Sequence, residues 1–106
     1  MSYRYMRILV MFDLPVGTES ERKNYRLFRK YLIKSGFLML QESVYCKMMT
    51  SPSMEKSMKN MVHNNKPPKG LIQTITITEK QFVKMDYIVG EYTSDIIDSE
   101  ERLIIL

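Results

Sequence analysis

Cysteine and histidine are nearly missing from this chain, and tryptophan is absent. With Cys46 as the sole cysteine, no disulfide can form within the chain, and no zinc-finger spacing exists. With His63 as the sole histidine, a paired-histidine RNA-cleaving site within one chain is excluded. Glycine is scarce too, four in 106 residues, and no P-loop, G-x-G-x-x-G or nucleophile elbow occurs. Those absences remove the common phosphate cradles and serine-hydrolase chemistry. No apolar run approaches the length of a membrane span, and the N-terminus lacks the layout of a signal peptide. A cytoplasmic protein with no membrane partner is the expectation. Cys46, inside a strand, reads as a small core residue, and His63 as a surface residue on the polar side of a helix.

What the chain does have is charge, unevenly placed. Residues 1 to 85 carry fifteen Lys and Arg against six Asp and Glu, a balance of +9, whereas residues 86 to 106 balance to −5. A basic body with an acidic tail suits a polyanionic partner for the body. The ten methionines fall mostly at core-like positions, where Met is an adaptable filler.

The opening strand spans residues 6 to 13. Ile8 to Phe12 run without polar alternation, the pattern of a strand buried on both faces, and end in Asp13 and a Leu14-Pro15-Val16-Gly17 turn. Thr18 with Glu21 forms a capping box, so a helix is expected from Glu19 to Ser35, stopped by Gly36. Short strands follow at 37–40 and 43–49. Ser51 and Pro52 then open a second helix, whose Met54, Met58, Met61 and Val62 make one apolar stripe. Asn64 to Gly70 is a loop, and residues 70 to 78 alternate Ile and Thr as a strand. A helical turn at 79–84 and a short strand at Tyr87–Gly90 are expected, then the acidic stretch and an apolar Leu103-Ile104-Ile105-Leu106. The order is β-α-β-β-α-β, which folds most economically as an α+β, ferredoxin-like sandwich: one antiparallel sheet with two helices on one face. Residues 1–90 form that domain and residues 91–106 an acidic C-terminal extension. Its apolar end either folds back on its own sheet or adds to a neighbour's edge.

Two places could hold chemistry. On a helical wheel, Arg22, Lys23, Arg26, Arg29, Lys30 and Lys34 fall within an arc of roughly 140°, interrupted by Ile33. Tyr25, Leu27, Phe28, Tyr31 and Leu32 fill the other side. Such a stripe would grip phosphates and not bases, with little sequence preference and a steep salt dependence. The second place is Asp13, alone at the mouth of the buried strand. It either caps the following turn and helix, or binds a metal with a second acid. Within the chain the candidate partners, Glu42 and Asp86, are poorly placed. A twofold dimer would instead bring Asp13 against its own copy, and one or two carboxylates suffice for Mg2+.

The stretches "VMFDLP", "ERKNYRLFRKYLIKSGF" and "LQESVYCK" together resemble the CRISPR-associated protein two family, and most of all its members from type II systems. The likeness covers about residues 6 to 90. It implies a homodimer whose C-terminal strand packs on the partner's sheet. Asp13 of each subunit is then the catalytic residue, holding Mg2+ (or Mn2+) at the interface. It implies a metal-dependent endonuclease acting on single-stranded RNA or duplex DNA, and a bridge for the CRISPR integrase that binds duplex DNA during spacer acquisition. Arg22 matches the family's basic position early in the helix, and Ser43 and Tyr45 match its Ser-Val-aromatic motif. Two departures stand out: Met39 where many members have Arg, and Lys47 where many have an acid. The alternatives are a DNA-binding scaffold without catalysis, and a ferredoxin-like regulatory domain for a small ligand. An RNA-recognition module is disfavoured, because "LIQTITIT" carries no stacking aromatic.

Overall fold

The computed structural model describes residues 5–91. Their elements run β1 (Met6–Asp13), α1 (Glu19–Lys34), β2 (Leu38–Gln41), β3 (Val44–Met49), α2 (Pro52–Asn64), β4 (Leu71–Thr78) and α3 (Glu79–Val83). The sheet order is β2-β3-β1-β4, and every neighbouring pair is antiparallel. This is the expected β-α-β-β-α-β sandwich. The acidic extension at 91–106, with its apolar end, lies outside the described residues from residue 92 onwards.

Strand alternation sorts β1 into two faces. Ile8, Val10 and Phe12 point to one side and share a buried core with Phe28 and Leu32 of α1, Tyr45 and Met49 of β3, and Val62 of α2. Met54 and Met58 of α2 pack against it, as their stripe predicts. Each large side chain buried there is worth about 1.5–3 kcal/mol. Arg7, Leu9, Met11 and Asp13 share the other face. There a smaller cluster of Leu9, Cys46 and Phe82 is closed by α3. Expected burial on both faces of β1 therefore holds at Leu9 but fades along the strand. Met11 is half-buried and Asp13 exposed, because α3 is too short to cover that end.

Local chemistry sets the ends. The Thr18 hydroxyl accepts from the Glu21 amide at 3.1 Å, and the Glu21 carboxylate accepts from the Thr18 amide at 3.0 Å, closing the capping box of α1. At the other end the Lys47 ammonium donates to the Ser35 carbonyl at 2.9 Å, where the helix dipole favours a cation. Gly36 takes φ +93, a left-handed stop that suits only glycine cheaply. A register shift between Met39 and Gln41 lets β2 turn tightly into β3.

Two expectations need correction. Tyr87–Gly90 forms no strand: these residues are exposed and follow α3 as bends, with no strand partner among the described residues. Leu27, on the packed side of α1 by the helical wheel, is 54% exposed. The packed direction is set by Phe28, Leu32 and Tyr25, and Leu27 lies about 140° around the helix from Leu32.

α3 is fixed by a second capping box at Thr78 and Gln81 and by a two-pronged ion pair. The Arg7 Nε donates to Glu79 Oε2 at 2.7 Å and Nη2 to Oε1 at 3.0 Å, with the guanidinium 4.1 Å from the centre of the Phe82 ring. On the opposite layer, the Glu55 carboxylate accepts from Thr76 at 2.8 Å and pairs with Lys59 at 3.0 Å, tying α2 to β4. The bond to Arg7 holds the Glu79 carboxyl below its ordinary 4.5, and the bonds to Lys59 and then Thr76 do the same for Glu55. A carboxyl held low when folded stabilises the fold above its unfolded pKa and stops doing so as pH falls through the folded value. The urea midpoint is therefore expected to drop once pH passes below about 4.5, and the Arg7→Met variant to show a shallower drop over the same window.

Candidate functional site

One end of the sheet gathers the residues of interest. Asp13 closes β1 and sits in register with Leu71 at the start of β4. Beside it, the β2–β3 turn delivers the Ser43 carbonyl to the Phe12 amide at 3.0 Å. Ser43 thus secures the strand end through its backbone, one residue from Asp13. The Asp13 carboxylate is exposed and, among the described residues, makes no hydrogen bond or ion pair. It does not cap α1, since Thr18 fills that place.

Among the described residues no three of His, Cys, Asp and Glu come together as a metal cage. In β1 the described residues offer one unbonded carboxylate, that of Asp13. That set fits a hard divalent cation only as one shared ligand, with a second carboxylate, water and phosphate oxygens completing it. The Cys46 thiol is no rival nucleophile, because burial pushes its pKa up more than the nearby Arg7 pulls it down. His63 is exposed on α2, on the far side of the sheet from Asp13 by alternation, and touches Lys66.

The basic arc of α1 divides. Lys23, Arg26, Lys30 and Lys34 are exposed. Arg22 reaches back along the chain, and its Nη1 donates to the carbonyls of Val16 at 3.1 Å and Gly17 at 3.4 Å, bracing the loop after Asp13. Arg29 corrects the expectation of six outward cations. It lies about 60° around the helix from Leu32, so it turns inward, and its Nε donates to the Tyr45 hydroxyl at 2.8 Å. Glu19 shares the arc at its first turn, so the positive stretch proper begins at Arg22. Tyr45 itself is fully buried and stacks on Phe12 with ring centroids 5.8 Å apart. Burial raises its hydroxyl pKa despite Arg29. Tyr45 therefore supports β1 from beneath and offers nothing to a ligand directly, whereas half-buried Ser43 supports the strand end through its carbonyl.

Comparison with known proteins decides the family. The family model described as CRISPR associated protein Cas2 matches residues 6–85. The chain belongs to the Cas2 family. A protein of Treponema denticola named CRISPR-associated endoribonuclease Cas2 is 48% identical over 101 residues, covering 95% of this chain and 100% of that one. A protein of the same name from Streptococcus mutans serotype c is 46% identical over 101 residues, covering 95% and 93%. The crystal structure of Streptococcus pyogenes Cas2 at pH 6.5 superposes with a TM-score of 0.57 at 20% identity, over 79% of this chain and 99% of that one, and so shares the fold. No helix among the described residues is long and apolar enough to cross a membrane.

In this Cas2-family chain the sequence pattern misses one positioning residue, Gly70. Its φ is +111, and a β-carbon there would stand 2.9 Å from the Asp13 carbonyl oxygen and 2.7 Å from the Leu14 side chain. The available signal was a lone glycine at the start of a strand, a mark of close backbone approach. Gly70→Ala is expected to cost at least about 1 kcal/mol and to loosen the strand end around Asp13, read as faster amide exchange at residues 12–14. Arg29→Leu is expected to cost about 1–3 kcal/mol, because it strands the buried Tyr45 hydroxyl, and adding Tyr45→Phe should recover part of that loss. The same change at Lys30 should stay within about 0.5 kcal/mol. Denaturant titration of the four variants checks this.

Proposed function

We propose that this chain works as a homodimer that binds duplex DNA and bridges the CRISPR integrase during spacer acquisition. In the same reading it hydrolyses phosphodiester bonds with Mg2+ or Mn2+ held between the two copies of Asp13. The observation that carries this is the direction of Asp13. It follows Leu9 and Met11 on the sheet face opposite α1 and α2, which α3 covers only at the Leu9 end and where Leu71 and Ile75 are 54% and 50% exposed. Apolar side chains in such a row favour a covering partner. A second copy laid on this face by a twofold axis puts like residues opposite like, and so brings one Asp13 towards the other.

β4 ends the sheet with one side unpaired among the described residues, which suits addition of a strand from the partner. The apolar Leu103–Leu106 end of the extension 91–106 is our candidate for that strand, with residues 1–90 as the domain proper. In this arrangement the paired Asp13 carboxylates hold the cation. When bound, such a cation offsets phosphate charge and makes water a better nucleophile. The chain's own contribution is placement. Arg22 braces the loop beside Asp13, the Ser43 carbonyl fixes the strand end, and Lys23, Arg26, Lys30 and Lys34 hold phosphates. The related endoribonucleases make single-stranded RNA the first substrate to test beside duplex DNA.

A scaffold that binds DNA without cutting it is favoured by a different observation: among the described residues no three of His, Cys, Asp and Glu gather into a metal-holding group, at Asp13 or elsewhere. One variant separates the two. Asp13→Asn should lose cleavage by at least about 100-fold, on the scale of a group used in the transition state, while keeping duplex affinity within about twofold. Chelator should abolish wild-type cleavage. Cleavage that survives either treatment overturns the Asp13 site, and a protein that sediments as a monomer overturns the dimer.

A further inference from the structure

We propose that the outward face of α2 and the loop after it form a second phosphate-gripping ridge, parallel in role to α1. The helical layer then contacts duplex DNA along two lines. This rests on the reading of the chain as a DNA-binding protein and extends its footprint to residues outside α1.

Both helices pack on the same sheet face, α1 through Phe28 and Leu32 and α2 through Val62, Met54 and Met58, so their outer faces look the same way. On α2, Lys56, Lys59, Asn60 and His63 fall within an arc of about 100° opposite the methionine stripe, and all four are exposed. Lys66 and Lys69 follow in the exposed loop. From Thr50 to Thr78 the only acid is Glu55. It is half-buried and already occupied, accepting from Thr76 at 2.8 Å and pairing with Lys59 at 3.0 Å. A solvated helix face ordinarily mixes signs; this one presents cations with no exposed acid among them.

The ground between the ridges agrees. A groove of about 410 Å³ runs between α1 and the loop after α2, lined by Asn24, Leu27, Tyr31, Asn65, Lys66 and Pro67 among others. It contains no carboxylate; the nearest one, Glu21, lines the adjoining cavity towards Lys69 and is already occupied, accepting from the Thr18 amide at 3.0 Å. The Lys66 ammonium donates to the His63 carbonyl at 3.0 Å, at the negative end of α2, which steadies a cation on the groove's rim before any ligand arrives. The lysines carry no fork geometry for bases, so the ridge adds affinity and not sequence preference.

Fluorescence anisotropy with a labelled duplex, over a salt series, tests the assignment on the full chain. The probe variants are Lys56→Gln/Lys66→Gln/Lys69→Gln, which leaves the Glu55–Lys59 pair intact, and Lys23→Gln/Arg26→Gln/Lys30→Gln on α1. Removing one cation from a phosphate should make the slope of log affinity against log salt shallower by about 0.9, so each triple variant should flatten it by roughly two to three. An unchanged slope for the α2 variant beside a flattened one for the α1 variant overturns this inference and leaves the DNA reading standing. Unchanged slopes for both overturn the DNA reading too. Weaker binding by the α2 variant without a change in slope, or with a lowered thermal midpoint, also overturns the ridge, since it marks a structural effect. Polyglutamate of equal charge that competes as well as duplex overturns its assignment to nucleic acid.

Discussion

The packing of Phe12 is the contact on which the rest of the molecule depends. Its ring meets Phe28 edge-on at 5.2 Å, Tyr25 at 6.0 Å and Tyr45 in a stack at 5.8 Å. Three elements meet on one side chain of the central strand. The residue after it is Asp13, so the same contact that seats α1 also sets where the carboxylate leaves the sheet. Because strands alternate, burying Phe12 under the helices commits Asp13 to the opposite, open face. The rotation of α1 is fixed as well. With Phe28 and Tyr25 turned to Phe12, the lysines and arginines of that helix have only the outside left, apart from Arg29.

Arg29 and Tyr45 show how a binding surface and a core share a boundary. A guanidinium drawn from a basic stripe satisfies a hydroxyl that sits fully inside the protein. The cost of losing that bond falls on stability, because the hydroxyl would remain buried without a partner. Neighbouring cations on the same helix carry no such obligation, and their charges are available to solvent and ligands. A stripe that looks uniform on a helical wheel is therefore two kinds of residue.

Much of the architecture was legible in the residues. The Thr18–Glu21 capping box, the Ser51-Pro52 start, the methionine stripe and the Ile-Thr alternation each specify their element through local chemistry, and those elements formed. Where local chemistry was weak the reading failed. Tyr87 to Gly90 has strand-forming side chains but no strand beside it among the described residues, and β-propensity counts only against a neighbour. Leu27 and Arg29 depart from the wheel because a wheel gives directions around a helix and not the bearing of the sheet beneath it. Asp13 could be read as exposed chemistry from its place at a strand end. Gly70 could not be tied to it, because their contact joins positions far apart in the chain.

The order of the strands has a consequence for how the chain is made. Of the four described strands β1 is synthesised first, yet it lies inside the sheet, and its β4 neighbour is synthesised last. The bond that fastens α3 to it, from Arg7 to Glu79, spans 72 positions. Contacts of that separation close slowly, because the entropy of a long loop must be overcome first. Until β4 has emerged, one hydrogen-bonding edge of the most apolar strand stays open. A nascent or truncated chain ending before Leu71 thus presents a sticky central strand, and the completed β4 serves as its cover.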